Sequence, residues 1–96
     1  MKLVFREDAK RDLRWFSKYY SFNFPEGRKQ AERRFADAIK LTLENPRAGQ
    51  LIEGLSVRRM AVQRTPFILI YTIMGDTIDV IRVWDARAEP IRFSER

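Results

Sequence analysis

The sequence predicts an α+β domain of order βααβββ, with an N-terminal strand and a helical hairpin packed on one face of a small antiparallel sheet. Two observations carry the class. The first half holds two segments with a helical apolar rhythm, and the second half holds three Val/Ile/aromatic runs parted by turn residues. A third bounds the size: 96 residues at 45% hydrophobic content suit one core. "KLVF" (2–5) reads as a short strand. From Glu7 the period changes, and Ala9, Leu13, Phe16 and Tyr20 line one helical face. Glu7, Asp8 and Asp12 stand in its first turns, where the helix dipole favours acids. "SFNFPEG" (21–27) interrupts it, because Pro25 and Gly27 are both poor in a helix interior.

A second helix is expected from about Arg28 to Glu44. Ala31, Phe35, Ala38, Ile39 and Thr42 or Leu43 form its apolar stripe, while Arg28, Lys29, Arg33, Arg34 and Lys40 face away. It stops at "NPRAG", since the residue before a proline disfavours the helical region. "SVRRMAVQ" (56–63), "PFILIYTI" (66–73) and "TIDVIRVW" (77–84) read as strands, and Gly75-Asp76 suits a tight hairpin turn. The middle run is apolar on both faces apart from Thr72, as expected of a central strand. In the first run Met60 and Val62 share a face with Arg58 and Arg64, while Arg59, Ala61 and Gln63 take the other. Strict alternation in the last run puts Ile81 and Val83 on one face and Val80, Arg82 and Trp84 on the other. One sheet face is left without helices, and such faces are where small domains place binding surfaces.

Composition narrows the chemistry. The chain has no Cys and no His, which removes disulfides, zinc sites of the usual kind and every His-based acid–base mechanism. No cofactor or metal is expected. No apolar run approaches a membrane span, and the N-terminus turns charged after five residues, so the chain is expected to be cytoplasmic. The net charge is +6 and unevenly spread. Residues 1–40 hold five Lys and six Arg against six acids, whereas residues 41–96 hold eight Arg, no Lys and seven acids. Acidic partners are favoured, above all on the helical half. The all-arginine second half suits cations fixed in bidentate or stacked geometry.

The element order and three stretches together resemble the RelE/ParE toxin superfamily of bacterial type II toxin–antitoxin modules. The stretches are "NPRAGQLIEGLSVRRMAV", "PFILIYTI" and "IDVIRVWDAR", which keep Arg58, Arg59, Tyr71, Arg82 and Arg87 in the ParE-like frame. The resemblance covers essentially the whole chain and implies a single toxin domain over residues 1–96. It implies an antitoxin partner, a small protein whose extended arm wraps the toxin's helices and sheet. It also implies one of two activities. The RelE-like branch cleaves messenger RNA on the ribosome with clustered basic residues and an aromatic hydroxyl. The ParE-like branch poisons DNA gyrase and has no known hydrolytic site. By strand frame, the RNA-cleaving positions fall on Arg59, Ala61, Ile68, Arg87 and Phe93, of which only the two arginines keep basic character. Losing one oxyanion-type contact costs about 10²–10³ in rate, so three missing groups point away from an enzyme.

The expectation is therefore a ParE-like gyrase inhibitor held silent by its antitoxin. The alternatives are a ribosome-dependent endoribonuclease, or a degenerate member that only binds its antitoxin. For the target surface the expected residues are Arg58, Arg59, Arg82, Trp84 and Arg87. For a ribonuclease they are Arg59, Arg64, Arg82 and Arg87 on phosphates, with Asp85 or Glu89 as base. The antitoxin is expected on the helices, at Leu13, Phe16, Tyr20, Arg33 and Arg34. Each has a plainer role open to it. Arg58 and Arg59 can be a solvated edge, Trp84 a packing residue, and Arg82 a partner of an acid such as Asp85 or Asp79. Asp85 is expected to orient or neutralise a neighbouring Arg, and Arg87 to stand at the rim of the uncovered face.

Overall fold

The computed structural model describes residues 1–87. In chain order these form β1 (Lys2–Phe5), α1 (Glu7–Asn23), a 3-10 turn (Pro25–Gly27), α2 (Arg28–Glu44), β2 (Gln50–Leu51), β3 (Arg58–Ala61), β4 (Phe67–Met74) and β5 (Thr77–Asp85). The class is α+β, two helices on one sheet, as the sequence predicts. The sheet order is β1-β5-β4-β3-β2. β1 runs parallel to β5, whereas the other pairs are antiparallel, so the sheet is mixed. A parallel partner needs a long crossover, and the whole helical hairpin serves as part of one. β2 pairs only Gln50 with Arg59 and Leu51 with Arg58, too short a run to show in the apolar pattern.

α1 starts at Glu7 with Glu7 and Asp8 in its first turn and ends at Phe24, whose backbone N–H bonds the Tyr20 carbonyl. Its apolar face is buried through Ala9, Phe16 and Tyr20. The Phe16 ring meets Phe67 edge-on at 4.8 Å, Tyr20 at 5.3 Å and Phe35 of α2 at 5.4 Å, so one ring joins both helices to the sheet. Burying an aromatic side chain of this size is worth ~1.5–3 kcal/mol before edge-to-face geometry adds to it. α2 buries Ala31, Ala38 and Thr42, with Phe35 and Ile39 packed against the same core. The Thr42 hydroxyl donates to the Ala38 carbonyl at 2.8 Å, which makes a buried threonine tolerable. Leu43, the alternative to Thr42 in the stripe, is exposed.

On β4, Phe67, Leu69 and Tyr71 are fully buried under the helices, and Ile68, Ile70, Thr72 and Met74 alternate onto the open face. β5 departs from strict alternation. Ile70 pairs with Arg82 but Tyr71 with Val80, so Ile81 is an extra residue without a partner. This bulge flips the phase of the strand: Ile78 and Val80 point under the helices before it, and Val83 after it. Val80 and Val83 thus share the core, which corrects the simple alternation expected from the sequence. Among the described residues no helix is long and apolar enough to cross a membrane.

Candidate functional site

The bulge decides where the arginines of the second half go. β1 covers β5 only along Thr77–Val80, so the strand beyond it has an open edge facing α1. Asp12 of α1 fills that edge. Its carboxylate accepts from Arg82 Nε at 2.7 Å and Nη2 at 2.9 Å, and from the backbone N–H of Val83 at 2.9 Å. The pair raises the Arg82 pKa, chiefly through that hydrogen bond, against the opposing effect of burial. The acid that Arg82 meets is therefore Asp12, not Asp85 or Asp79. Asp79 is taken by Arg6 at 3.0 Å. Periodicity along one strand cannot show a partner supplied by a helix 70 residues earlier.

Arg82 is opposite Ile70 on the open face, and Arg59 of β3 is opposite Ile70 on its other side. The next row is Ala61, Ile68 and Trp84. The Arg82 guanidinium stands 4.8 Å from the Trp84 ring centre, within cation–π range. Three of the expected target residues, Arg59, Arg82 and Trp84, are thus brought together on the open face. Ala61 and Ile68, the neutral positions of the RNA-cleaving frame, lie between them.

Arg58 is not part of that group. It shares the covered face with Met60, and its Nη1 donates to the carbonyls of Arg47 at 3.2 Å and Gly49 at 2.9 Å. There it braces the loop after α2 together with Tyr71, whose hydroxyl donates to the Pro46 carbonyl at 2.6 Å and accepts the Gly49 N–H at 3.1 Å. Burial pushes the Tyr71 hydroxyl pKa up. Arg58 thus stands on the other side of the sheet from Arg59 and Arg82, with its Nη1 engaged on the loop carbonyls. Arg64 is exposed at the turn between β3 and β4 with a left-handed backbone, φ 62°, well away from the Arg82 edge in sequence and register.

Arg87 lies on the helix-covered side of the sheet end, not at the rim of the uncovered face. Asp85 follows Val83 by two residues and so points towards α1. Arg87 folds back on it: Nε donates to Oδ1 at 2.9 Å, Nη2 to Oδ2 at 2.7 Å and the backbone N–H to Oδ1 at 3.0 Å. Nη1 donates to the Tyr19 hydroxyl at 2.7 Å, and the guanidinium lies 4.3 Å from that ring's centre. The indole Nε1 of Trp15 donates to Asp85 Oδ2 at 3.4 Å. The Arg87 guanidinium holds the Asp85 carboxyl below the ordinary carboxylate range, and the carboxylate in turn raises Arg87 further.

Of the residues expected to meet the antitoxin, Phe16 and Tyr20 are buried at 6% and 7% exposure, and Leu13 is half-buried against the core. Their helical stripe is the face that the sheet consumes, so they are unavailable to a partner. Burial raises the Tyr20 hydroxyl pKa accordingly. Arg33 is exposed and donates to Gln30 at 3.3 Å; Arg34 is half-buried. The exposed aromatics of the helical hairpin are Trp15, Phe22 and Phe24. The sequence signal for them was present: Trp15 stands off the Ala9–Leu13–Phe16–Tyr20 stripe. Among the described residues no three acidic side chains gather closely enough to hold a metal ion. Glu89 and Phe93 lie outside the described residues.

Comparison with known proteins adds two findings. The family model described as the ParE toxin of type II toxin–antitoxin systems, parDE, matches residues 3–90. Among solved structures, a chain of the chromosomal ParDE toxin–antitoxin system from P. aeruginosa is similar, with a TM-score of 0.69 and 26% identity, covering 86% of this chain and 92% of that one. No curated protein sequence matches.

Proposed function

The chain belongs to the ParE toxin family and is a type II toxin component with an antitoxin as partner, and from this premise we propose that it acts without catalysis, by binding and inhibiting DNA gyrase. The observation that carries the reading is the state of the charged groups. An RNA-cleaving site needs a base for the 2′-hydroxyl, cations on the scissile phosphate and an acid for the leaving group. On the open face the central row is Ala61, Ile68 and Trp84, which offers no ion to a phosphate. Arg82 is committed to Asp12 and Arg87 to Asp85. Asp85, the described candidate base, has its carboxyl held low by Arg87, which makes it a poor proton acceptor near neutral pH. An arginine held in place beside Trp84, as Arg82 is, suits a protein surface better than a reaction centre.

In this reading Arg59, Arg82, Trp84 and Arg87 contact the target. The antitoxin takes the exposed side of α2, including Arg33 and Arg34, where the net charge of the helical half favours an acidic arm. Cytoplasmic action follows from a target on DNA. The test is to add the purified chain to gyrase and relaxed plasmid, and separately to translating ribosomes. Loss of supercoiling or linear DNA with intact message is expected. Cut message with normal supercoiling would overturn the reading in favour of an endoribonuclease, and no effect in either assay would leave a degenerate toxin.

A further inference from the structure

Arg87 is an unusual surface arginine. Its side chain is half-exposed, yet the guanidinium is fixed on three sides. Of its five N–H groups, Nε and one on Nη2 go to Asp85 and one on Nη1 goes to the Tyr19 hydroxyl. The side-on fork is spent. One N–H remains on each terminal nitrogen, held still and turned away from Asp85. A free arginine loses rotamer freedom when a partner fixes it, and here that loss is already met in the fold.

The walls around it are aromatic. Trp15 is 47% exposed and Phe24 53%, and the Tyr19 ring stands 6.1 Å from one and 6.0 Å from the other. Trp15, Tyr19 and Phe24 therefore form a continuous strip along the end of α1, with Arg87 stacked on its middle ring. Trp, Tyr and Arg are the residues that dominate protein–protein hot spots. Arg14 and Lys18, exposed on the same helix, have no ion-pair partner among the described residues, so the surroundings are positive although Asp85 balances Arg87.

We propose that Trp15, Tyr19, Phe24 and Arg87 form a docking site for a protein surface that presents a carboxylate beside an apolar side chain, with Asp85 as the residue that positions Arg87. The carboxylate takes the two remaining N–H groups of Arg87, and the apolar neighbour lies on the Trp15–Tyr19–Phe24 strip. A protein carboxylate fits better than a nucleic-acid phosphate, because Arg87 is already balanced by Asp85 and the contact beside it is an aromatic strip suited to an apolar side chain, with Arg14 and Lys18 adding only a diffuse positive field. The inference rests on the reading that Arg87 faces the toxin's target, and it extends that surface from the sheet end across α1.

The test uses the full chain, induced in bacteria and also purified with its co-expressed antitoxin. Arg87→Lys keeps the charge but not the fork, Trp15→Ala removes one wall, and Tyr19→Phe keeps the ring while releasing Nη1. Phe22→Ala, at an exposed ring outside the strip, is the control, and circular dichroism melts confirm folding. Arg87→Lys and Trp15→Ala are each expected to weaken binding to intact gyrase at least tenfold and to relieve growth arrest. Tyr19→Phe should weaken it about threefold, while antitoxin binding stays unchanged. Variants that bind gyrase and arrest growth like the parent overturn the docking site and leave gyrase as target. Variants that lose the antitoxin instead overturn the assignment of its occupant. If the parent arrests growth without binding gyrase, the gyrase reading fails, and growth arrest by the same variants decides the site: relief supports it, persistence overturns it. A parent that arrests nothing overturns both.

Discussion

Asp12 carries more of this fold than its place in a helical first half suggests. One carboxylate closes an ion pair with Arg82, satisfies the open-edge N–H of Val83 and ties α1 to β5. Both side chains are partly screened, at 28% exposure for Arg82 and 14% for Asp12, so the loss on Asp12→Ala is expected near the low end for a buried pair, about 2–3 kcal/mol. A urea melt measures it, and Asp12→Asn should recover part, since an amide oxygen still accepts from Val83. Tyr71→Phe tests the loop brace at the opposite end of the sheet. Removing a hydroxyl that serves both Pro46 and Gly49 leaves a partly buried carbonyl and a buried N–H unpaired, costing about 1–3 kcal/mol. Gly49 belongs to the same device, because a Cβ there would overlap the Tyr71 hydroxyl and press on the Arg59 carbonyl at 3.0 Å. Asp85 gives a pH signature. Its folded pKa is depressed below the ordinary 3.8, so its contribution is present above that value and lost as pH falls through the folded one. The stability gap between the parent and Asp85→Asn should therefore hold from about pH 5 to 8 and close in stronger acid.

Among the elements, β5 is marked by its bulge and α1 by its one covered face. Ile81 has no partner across the sheet, and it separates an inward set of Ile78 and Val80 from an inward Val83. Deleting Ile81 would remove the bulge and restore strict alternation with Ile78, Val80 and Val83 still inward and Arg82 and Trp84 still outward. A cooperative thermal transition should therefore survive the deletion, and its loss would show that the strand needs the bulge's extra twist and not only its facing. α1 is held chiefly by Phe16, which touches Phe67, Tyr20 and Phe35 at once. Phe16→Ala should lose ~3–5 kcal/mol, read by denaturant titration, whereas Trp15→Ala, one residue away on the outer face, should change stability little.

For the whole molecule, charge and covering decide what a partner meets. The +6 chain places its excess on the helical half. Association with the antitoxin should therefore slow several-fold between about 0.05 M and 0.5 M salt, with dissociation less affected, as stopped-flow mixing would show. Composition and periodicity alone determined the class, the helical hairpin, the three main strands and the Gly75-Asp76 turn, because local propensity and burial agree along each of those segments. Alternation also grouped Arg59 with Ala61 and Arg82 with Trp84, whereas Ile68 entered through the family resemblance and the register across the strands came only with the structure. What only the tertiary structure decided is where a strand meets something distant in sequence. The parallel pairing of β1 to β5, the Asp12 closure of the open edge and the return of Arg87 onto Tyr19 each join residues about 70 positions apart. No periodicity within a strand or helix encodes such pairings. Trp15 and Phe16 show both sides of that limit: the helical rhythm already sets Trp15 off the apolar stripe, but only the position of the sheet shows that the stripe of Phe16 is consumed by the core and closed to a partner.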